Sequence, residues 1–317
     1  MNTSSCMNVV AQLLKNGDII YPEGEFPSSI HIFKKLGFNC KKLYESNFQY
    51  PIRDLEKIIN QRIKIIIHSH IQYLTGFRQD LELLGELCKQ HEIINIINAT
   101  QSFGAFPIDV KNSNINILVA SALKWACCGY GIGILFVSEK IIEECDLPFS
   151  SWLSVKDAFS MDNDNINVIR QVKFMDSLGG TPHFPALFTL IGGFNLIEKI
   201  GDGDLRRGIL RINNRILELT SEFIAKIKEL NYKIITPLEK KNRSGIITLE
   251  HDKAETIFKE LLKNGIYISL RNYPKSTKKT LLRFSFNYYN NLADIEKCVS
   301  ILNLYKSTQR RKYYCQN

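Results

Sequence analysis

The sequence predicts an α/β chain: a large N-terminal domain with a mostly parallel sheet under helices, then a small α+β domain. Apolar runs alternate with helix-patterned segments through the first half. A long helical stretch follows, and short strands interleaved with helices close the chain. Alternation of this kind argues for βα units, and the change of pattern argues for a second domain.

The elements run in order. Thr3, Ser4 and Ser5 precede an amphipathic helix that carries Val9, Val10, Leu13 and Leu14. Asp18 to Tyr21 reads as a strand and Pro27 to Leu36 as helical. Ile63 to His68 reads as a strand, followed by Asp80 to His91, where Leu81, Leu83, Leu84, Leu87 and Cys88 mark an apolar helix face. The apolar runs Ile93 to Ile97, Ile115 to Ala120 and Ile134 to Val137 read as buried strands. From Pro185 the pattern is helical. Leu205 to Leu230 fits one helix or two. Strands are expected at Lys233 to Ile235, Gly245 to Leu249, Tyr267 to Leu270 and Leu282 to Phe286, with helices at Ala254 to Lys263 and Leu292 to Leu304. The turn Gly201-Asp202-Gly203-Asp204 places the boundary, giving domains at 1–202 and 203–317.

A chain of 317 residues can bury one large core and a smaller one. No run approaches the length of a membrane span, and the N-terminus lacks a signal peptide's basic and apolar regions. The eight cysteines show no metal-ligand spacing. They read as reduced thiols in a cytoplasmic setting, and no metal site is expected. The formal charge of +9 is spread in pairs such as Lys34-Lys35, Lys41-Lys42, Lys240-Lys241 and Lys278-Lys279. Only the tail from Lys306 to Tyr314 gathers charge with aromatics, and it reads as a solvated end. Nucleic-acid binding is not expected.

Lys124 is the most informative residue. It follows the Ile115–Ala120 strand and precedes the glycine turn Cys128-Gly129-Tyr130-Gly131-Ile132-Gly133. Partial desolvation there lowers an amine's pKa and frees its lone pair to attack a carbonyl. A lysine that snorkels from a strand end to water is the plain alternative. Asn98-Ala99-Thr100-Gln101-Ser102 follows a second strand in the same way. In a parallel sheet, ligands bind beyond the carboxyl ends of the strands, where Asn98, Gln101, Ser121 and Lys124 all fall.

The stretch from Ile96 to Glu139 resembles the class V aminotransferase family of pyridoxal-phosphate (PLP) enzymes. That family includes cysteine desulfurases, selenocysteine lyases and isopenicillin N epimerase. Further blocks in the family's order are Tyr21 to Ser28, Ser69 to Asp80 and Gly179-Gly180-Thr181-Pro182. The resemblance implies the fold type I of PLP-dependent transferases. It implies that Lys124 forms a Schiff base with pyridoxal 5'-phosphate and moves the proton at the α-carbon of a small amino acid. Thr3, Ser4, Ser5 and Ser121 match phosphate contacts, Phe26 the aromatic that stacks on the ring, and Gln101 the partner of the phenolic oxygen. Thr181 matches a phosphate contact from a neighbouring subunit, which implies a homodimer. Arg271 matches the arginine that grips the substrate carboxylate, a task suited to a planar guanidinium; Arg283 competes for it. His68 and His70 read as structural, and Trp125, Cys127 and Cys128 as packing.

The sequence departs from the family pattern in several places. Asn98 stands where the family has Asp, so charge no longer holds a proton on the ring nitrogen, and slower carbanion chemistry is expected. Leu123 replaces a His found in many relatives. No cysteine lies between Thr236 and Arg271, which disfavours persulfide-forming desulfuration. Relatives carry a longer segment before the phosphate loop, where this chain begins. The sequence therefore leaves two readings open. One is an aminotransferase, epimerase or lyase; the other is a truncated or degenerate member that keeps the fold as a binding or regulatory protein.

Overall fold

A computed structural model describes residues 2–14, 16–146, 148–171, 178–272 and 279–306. Lys278 and the tail aromatics and arginines from Arg310 to Tyr314 lie outside the described residues. The chain divides into two compact units, Met1–Tyr73 with Gln79–Asn213, and Leu74–Arg78 with Asn214–Asn317. Helix α7, Leu205–Glu229, is continuous and contains this division. The Gly201–Asp204 turn lies at its start.

The first unit is built on a sheet of β1 Asp18–Pro22, β2 Cys40–Leu43, β3 Ile63–Ser69, β4 Ile94–Asn98, β5 Ile117–Ser121 and β6 Gly133–Val137. Its order is β2-β1-β3-β4-β5-β6, all parallel except β6, which runs antiparallel to β5. The central strands are apolar on both faces because both are covered. On one face Ile19, Ile65, Ile67, Ile96, Ile117 and Val119 form a buried cluster with Met7, Val9, Val10 and Leu13 of helix α1, Thr3–Leu14. Their alternates Ile20, Ile66, Ile97 and Leu118 are also buried. Removing one such side chain, as in Leu13→Ala, costs about 2–5 kcal/mol. Helix α4, Leu81–Gln90, starts where Asp80 accepts from the Leu83 N–H at 3.1 Å and buries Leu81, Leu84, Leu87 and Cys88. Leu83, expected on the same apolar face, is exposed instead.

The stretch expected to be helical from Pro27 is divided. A 3-10 turn covers Pro27–Ser29, and α2 covers His31–Lys35. Ile30 between them has φ −122°, outside helical geometry. The strand β2 and the short helices α3 Ile52–Glu56 and α5 Glu139–Glu144 were not anticipated. Each is brief, and β2 exposes Lys41 and Lys42, so no apolar run announces it. Helix α6, Phe184–Ile200, follows an exposed Thr181.

The second unit carries an antiparallel sheet of β7 Lys233–Ile234, β8 Ile246–Glu250, β9 Ser269–Asn272 and β10 Thr280–Ser285, in the order β7-β8-β10-β9. Its core joins Ile247, Leu249, Leu282 and Phe284 to Phe223 of α7, Ile257 of α8 (Ala254–Lys263) and Ile295 of α9 (Leu292–Asn303). Asn291 and Asp294 close a reciprocal capping box at the start of α9. Among the described residues no helix is long and apolar enough to cross a membrane.

Candidate active site

Parallel alignment brings the carboxyl ends of β1, β3, β4 and β5 to one edge of the sheet. An open pocket of about 210 Å³ lies there. That is smaller than a drug-sized site and suits one ring with its substituents. Asn98, Thr100 and Gln101 follow β4 into its wall, Ser121 and Lys124 follow β5, Ser69 and Tyr73 follow β3, and Phe26 and Ser28 follow β1.

Asn2, Thr3 and Ser4 line the remaining side, where α1 begins. Asn2 Oδ1 accepts from the Ser5 N–H at 3.0 Å and from Ser5 Oγ at 3.3 Å. Ser5 is thereby engaged in capping and does not line the pocket, whereas Thr3 and Ser4 do. Thr3 Oγ1 also meets Thr100 Oγ1 at 3.2 Å. The positive end of the helix dipole and these hydroxyls favour an anion here. Gly133 allows the approach: a Cβ there would meet the Asn2 carbonyl at 2.8 Å and Cys6 Sγ at 2.7 Å.

Lys124 is half-buried in the connection between β5 and β6. Its Nζ lies over the Phe26 ring at 5.8 Å from the centroid, wider than a direct contact of about 4 Å. Phe26 is held edge-on by Tyr73 at 5.2 Å. Gly104, at φ +86°, lets the loop after Gln101 lie against the Lys124 loop, where a Cβ would meet Ala126 Cα at 2.6 Å. The Trp125 indole N–H donates to Gln101 Oε1 at 3.0 Å. Indole only donates, so this bond sets the orientation of the Gln101 amide and leaves its NH₂ for other partners. Trp125, read from sequence as packing, therefore orients a pocket residue.

Asn98 is buried. Its Oδ1 accepts from the Thr100 N–H at 3.0 Å and its Nδ2 donates to Ser29 Oγ at 2.9 Å. Behind this wall lies Glu25, which sequence reading did not single out. Burial pushes its carboxyl up from the ordinary range, opposed by hydrogen bonds from Ser69, Phe26 and Gln72. His68 is fully buried; its Nδ1 faces Ser69 O at 2.6 Å and its Nε2 faces Gln79 Nε2 at 3.2 Å. Burial pushes its pKa down to about 4, so the ring is neutral and its bonds are structural. Among the described residues no cluster of His, Cys, Asp or Glu is placed to hold a metal.

The remaining site residues are not among those that line the pocket. Thr181 is exposed ahead of α6. Arg271 is exposed on β9 of the second unit, opposite Leu281. Arg283 on β10 is half-buried and donates to Ser269 Oγ at 3.0 Å.

A phosphorylated pyridine cofactor fits this pocket on one direct observation: the buried Ser121 and Ser28 hydroxyls have no hydrogen-bond partner among the described residues. In folded proteins about nine in ten buried polar groups are paired, so two such hydroxyls facing one pocket mark a place for a polar ligand.

Comparison with known proteins gives a consistent result. Kynureninase of Pseudomonas fluorescens is 22% identical over 288 residues, covering 90% of this chain and 66% of the kynureninase. A probable cysteine desulfurase of Pyrococcus abyssi is 24% identical over 319 residues, covering 95% of this chain and 76% of the relative. Among solved structures, the apo cysteine desulfurase from Thermococcus onnurineus NA1 superposes with TM-score 0.84 at 22% identity, covering 96% of this chain and 78% of that one. C-DES with glycine covalently linked to its PLP cofactor gives 0.83 at 16% identity, covering 95% and 79%. These likenesses show the fold type I of PLP-dependent enzymes. The aminotransferase class-V profile matches residues 1–298, and with that span the chain belongs to the class-V aminotransferase family.

Proposed function

We propose that the protein is a pyridoxal 5'-phosphate enzyme that acts at the α-carbon of a small amino acid. The observation that carries this is Lys124 Nζ facing the Phe26 ring at 5.8 Å, beside Asn98, Gln101 and Ser121 in one pocket. The cofactor of the family is PLP; bound in this pocket beside Lys124, it would supply an electron sink for the α-carbon. Thr3, Ser4 and Ser121 bind the phosphate, and Phe26 supports one face of the ring. Gln101, oriented by Trp125, donates to the phenolic oxygen. Lys124 would hold the cofactor and would take and return the proton at the substrate α-carbon. Arg271 binds the substrate carboxylate.

Two protomers form the working unit. Thr181 reaches the partner's phosphate, and the exposed Phe184, Phe188 and Ile191 on α6, spaced as one helix face, support burial against a second copy. The relatives bear the names kynureninase and cysteine desulfurase. The absence of a cysteine between Thr236 and Arg271 favours aminotransferase, epimerase or thiol-independent lyase chemistry over persulfide formation.

α-Proton exchange in deuterated water, followed by NMR over a panel of amino acids, tests this proposal. Exchange that is lost in Lys124→Ala is expected. Asn98 favours a second reading, a member that binds PLP without turnover and serves as a binding or regulatory protein. Bound cofactor with no exchange on any amino acid selects that reading.

A further inference from the structure

Glu25 is a buried carboxylate that the roles above leave unused. Its Oε1 accepts from the Phe26 N–H at 2.8 Å, from Ser29 Oγ at 3.2 Å and from Ser69 Oγ. Its Oε2 accepts from the Ser69 N–H at 2.7 Å and from Gln72 Nε2 at 3.4 Å. Two of these donors are main-chain N–H groups, which can only donate. Burial favours the neutral acid, yet Oε2 meets only N–H donors and Oε1 meets the Phe26 N–H beside the two hydroxyls. The surroundings are therefore built for the anion.

The network also has a direction. Asn98 Oδ1 takes the Thr100 N–H, which fixes the amide's orientation. Asn98 Nδ2 then donates to Ser29 Oγ at 2.9 Å, and the Ser29 hydroxyl donates its hydrogen bond to Glu25 Oε1. Ser29 is fully buried and Asn98 nearly so, so little water screens the line. Bonds aligned toward an anion polarise one another, and an amide that donates toward a negative charge has a more negative oxygen.

Asn98 carries no charge of its own with which to hold a proton on a pyridine nitrogen. We infer that Glu25 is the counter-charge of this pocket: acting through Ser29 and Asn98, it stabilises the protonated ring nitrogen of the cofactor. The inference rests on the PLP reading. Glu25 is a positioning residue, since it acts from behind the pocket wall.

The test loads the full-length protein with PLP labelled with ¹⁵N in the ring and reads the nitrogen chemical shift. The wild type is expected in the protonated range. Glu25→Gln, close in shape and neutral, is expected to move the shift toward the unprotonated range. Ser29→Ala, which breaks the relay and keeps the carboxylate, is expected to move it the same way. Glu25→Asp, which keeps the charge, is expected to recover part of the change; a purely structural role would not follow charge in this way. If Glu25→Gln does not fold, Ser29→Ala decides alone. Variants that bind PLP and keep the wild-type shift overturn the inference, as does an unprotonated wild type. A wild type that takes up no PLP overturns the proposed function as well.

Discussion

At the scale of single residues, the pocket depends on amide groups held in one orientation by the groups behind them. Trp125 fixes Gln101, and Trp125→Phe keeps the ring while removing the N–H. Loss of one hydrogen bond costs about 1 kcal/mol, so PLP affinity is expected to fall roughly fivefold in a spectroscopic titration. Unchanged affinity contradicts the orienting role. His68 gives a pH signature. Its folded-state pKa, about 4, is below the unfolded value of 6.5, so the unfolded chain takes up the proton first. Stability is therefore expected to fall as pH drops from about 6.5 to 4, by up to roughly 3 kcal/mol from this group. Urea midpoints of wild type and His68→Asn across that window measure it; the variant should lose less. The legible residues were those whose chemistry is conspicuous at a strand end: Lys124, Asn98, Gln101 and Ser121. Glu25 and Ser69 fall within blocks that resemble the family but carry no role there, and Ser29 lies just outside them. Their meeting depends on β1, β3 and β4 lying side by side, which brings Glu25 and Asn98 to one serine although 73 positions separate them in the chain.

At the scale of elements, the site is the edge where parallel strands end, and its precision comes from close approach of the loops. Gly104 is one of these points, with φ +86° and Ala126 directly beside it. Gly104→Ala is expected to cost on the order of 2 kcal/mol or more, from left-handed strain and the clash. Denaturant unfolding measures that loss. PLP affinity should fall as well, because the clash pushes on the Lys124 loop; a variant with wild-type affinity contradicts this coupling. Central strands were legible because burial on both faces makes them continuous apolar runs. The edge strand β2 was not, because Lys41 and Lys42 blunt it, as edge strands require.

At the scale of the whole molecule, the division into two units does not follow the chain's punctuation. Leu74–Arg78 belongs with the second unit. Thr236 Oγ1 donates to Thr75 O at 2.6 Å, Thr248 Oγ1 to Leu74 O at 2.5 Å and Ser244 Oγ to Gly76 O at 2.8 Å. Hydroxyls more than a hundred positions downstream hold this excursion, and no local composition marks it. The apolar α6 face predicts assembly. Phe188 is 70% exposed, so Phe188→Glu should leave the protomer folded while opposing its burial. Light scattering is expected to show a dimer for the wild type and a shift to monomer for the variant. PLP affinity should weaken as Thr181 leaves the partner's site. A wild-type monomer with full PLP affinity contradicts the shared site.

The most direct measurement is borohydride reduction of the PLP-loaded protein, followed by peptide mass mapping. The expected result is a yellow protein whose reduced cofactor is attached at Lys124. A colourless protein, or a cofactor attached at another lysine with Lys124 unmodified, contradicts the assignment of the pocket.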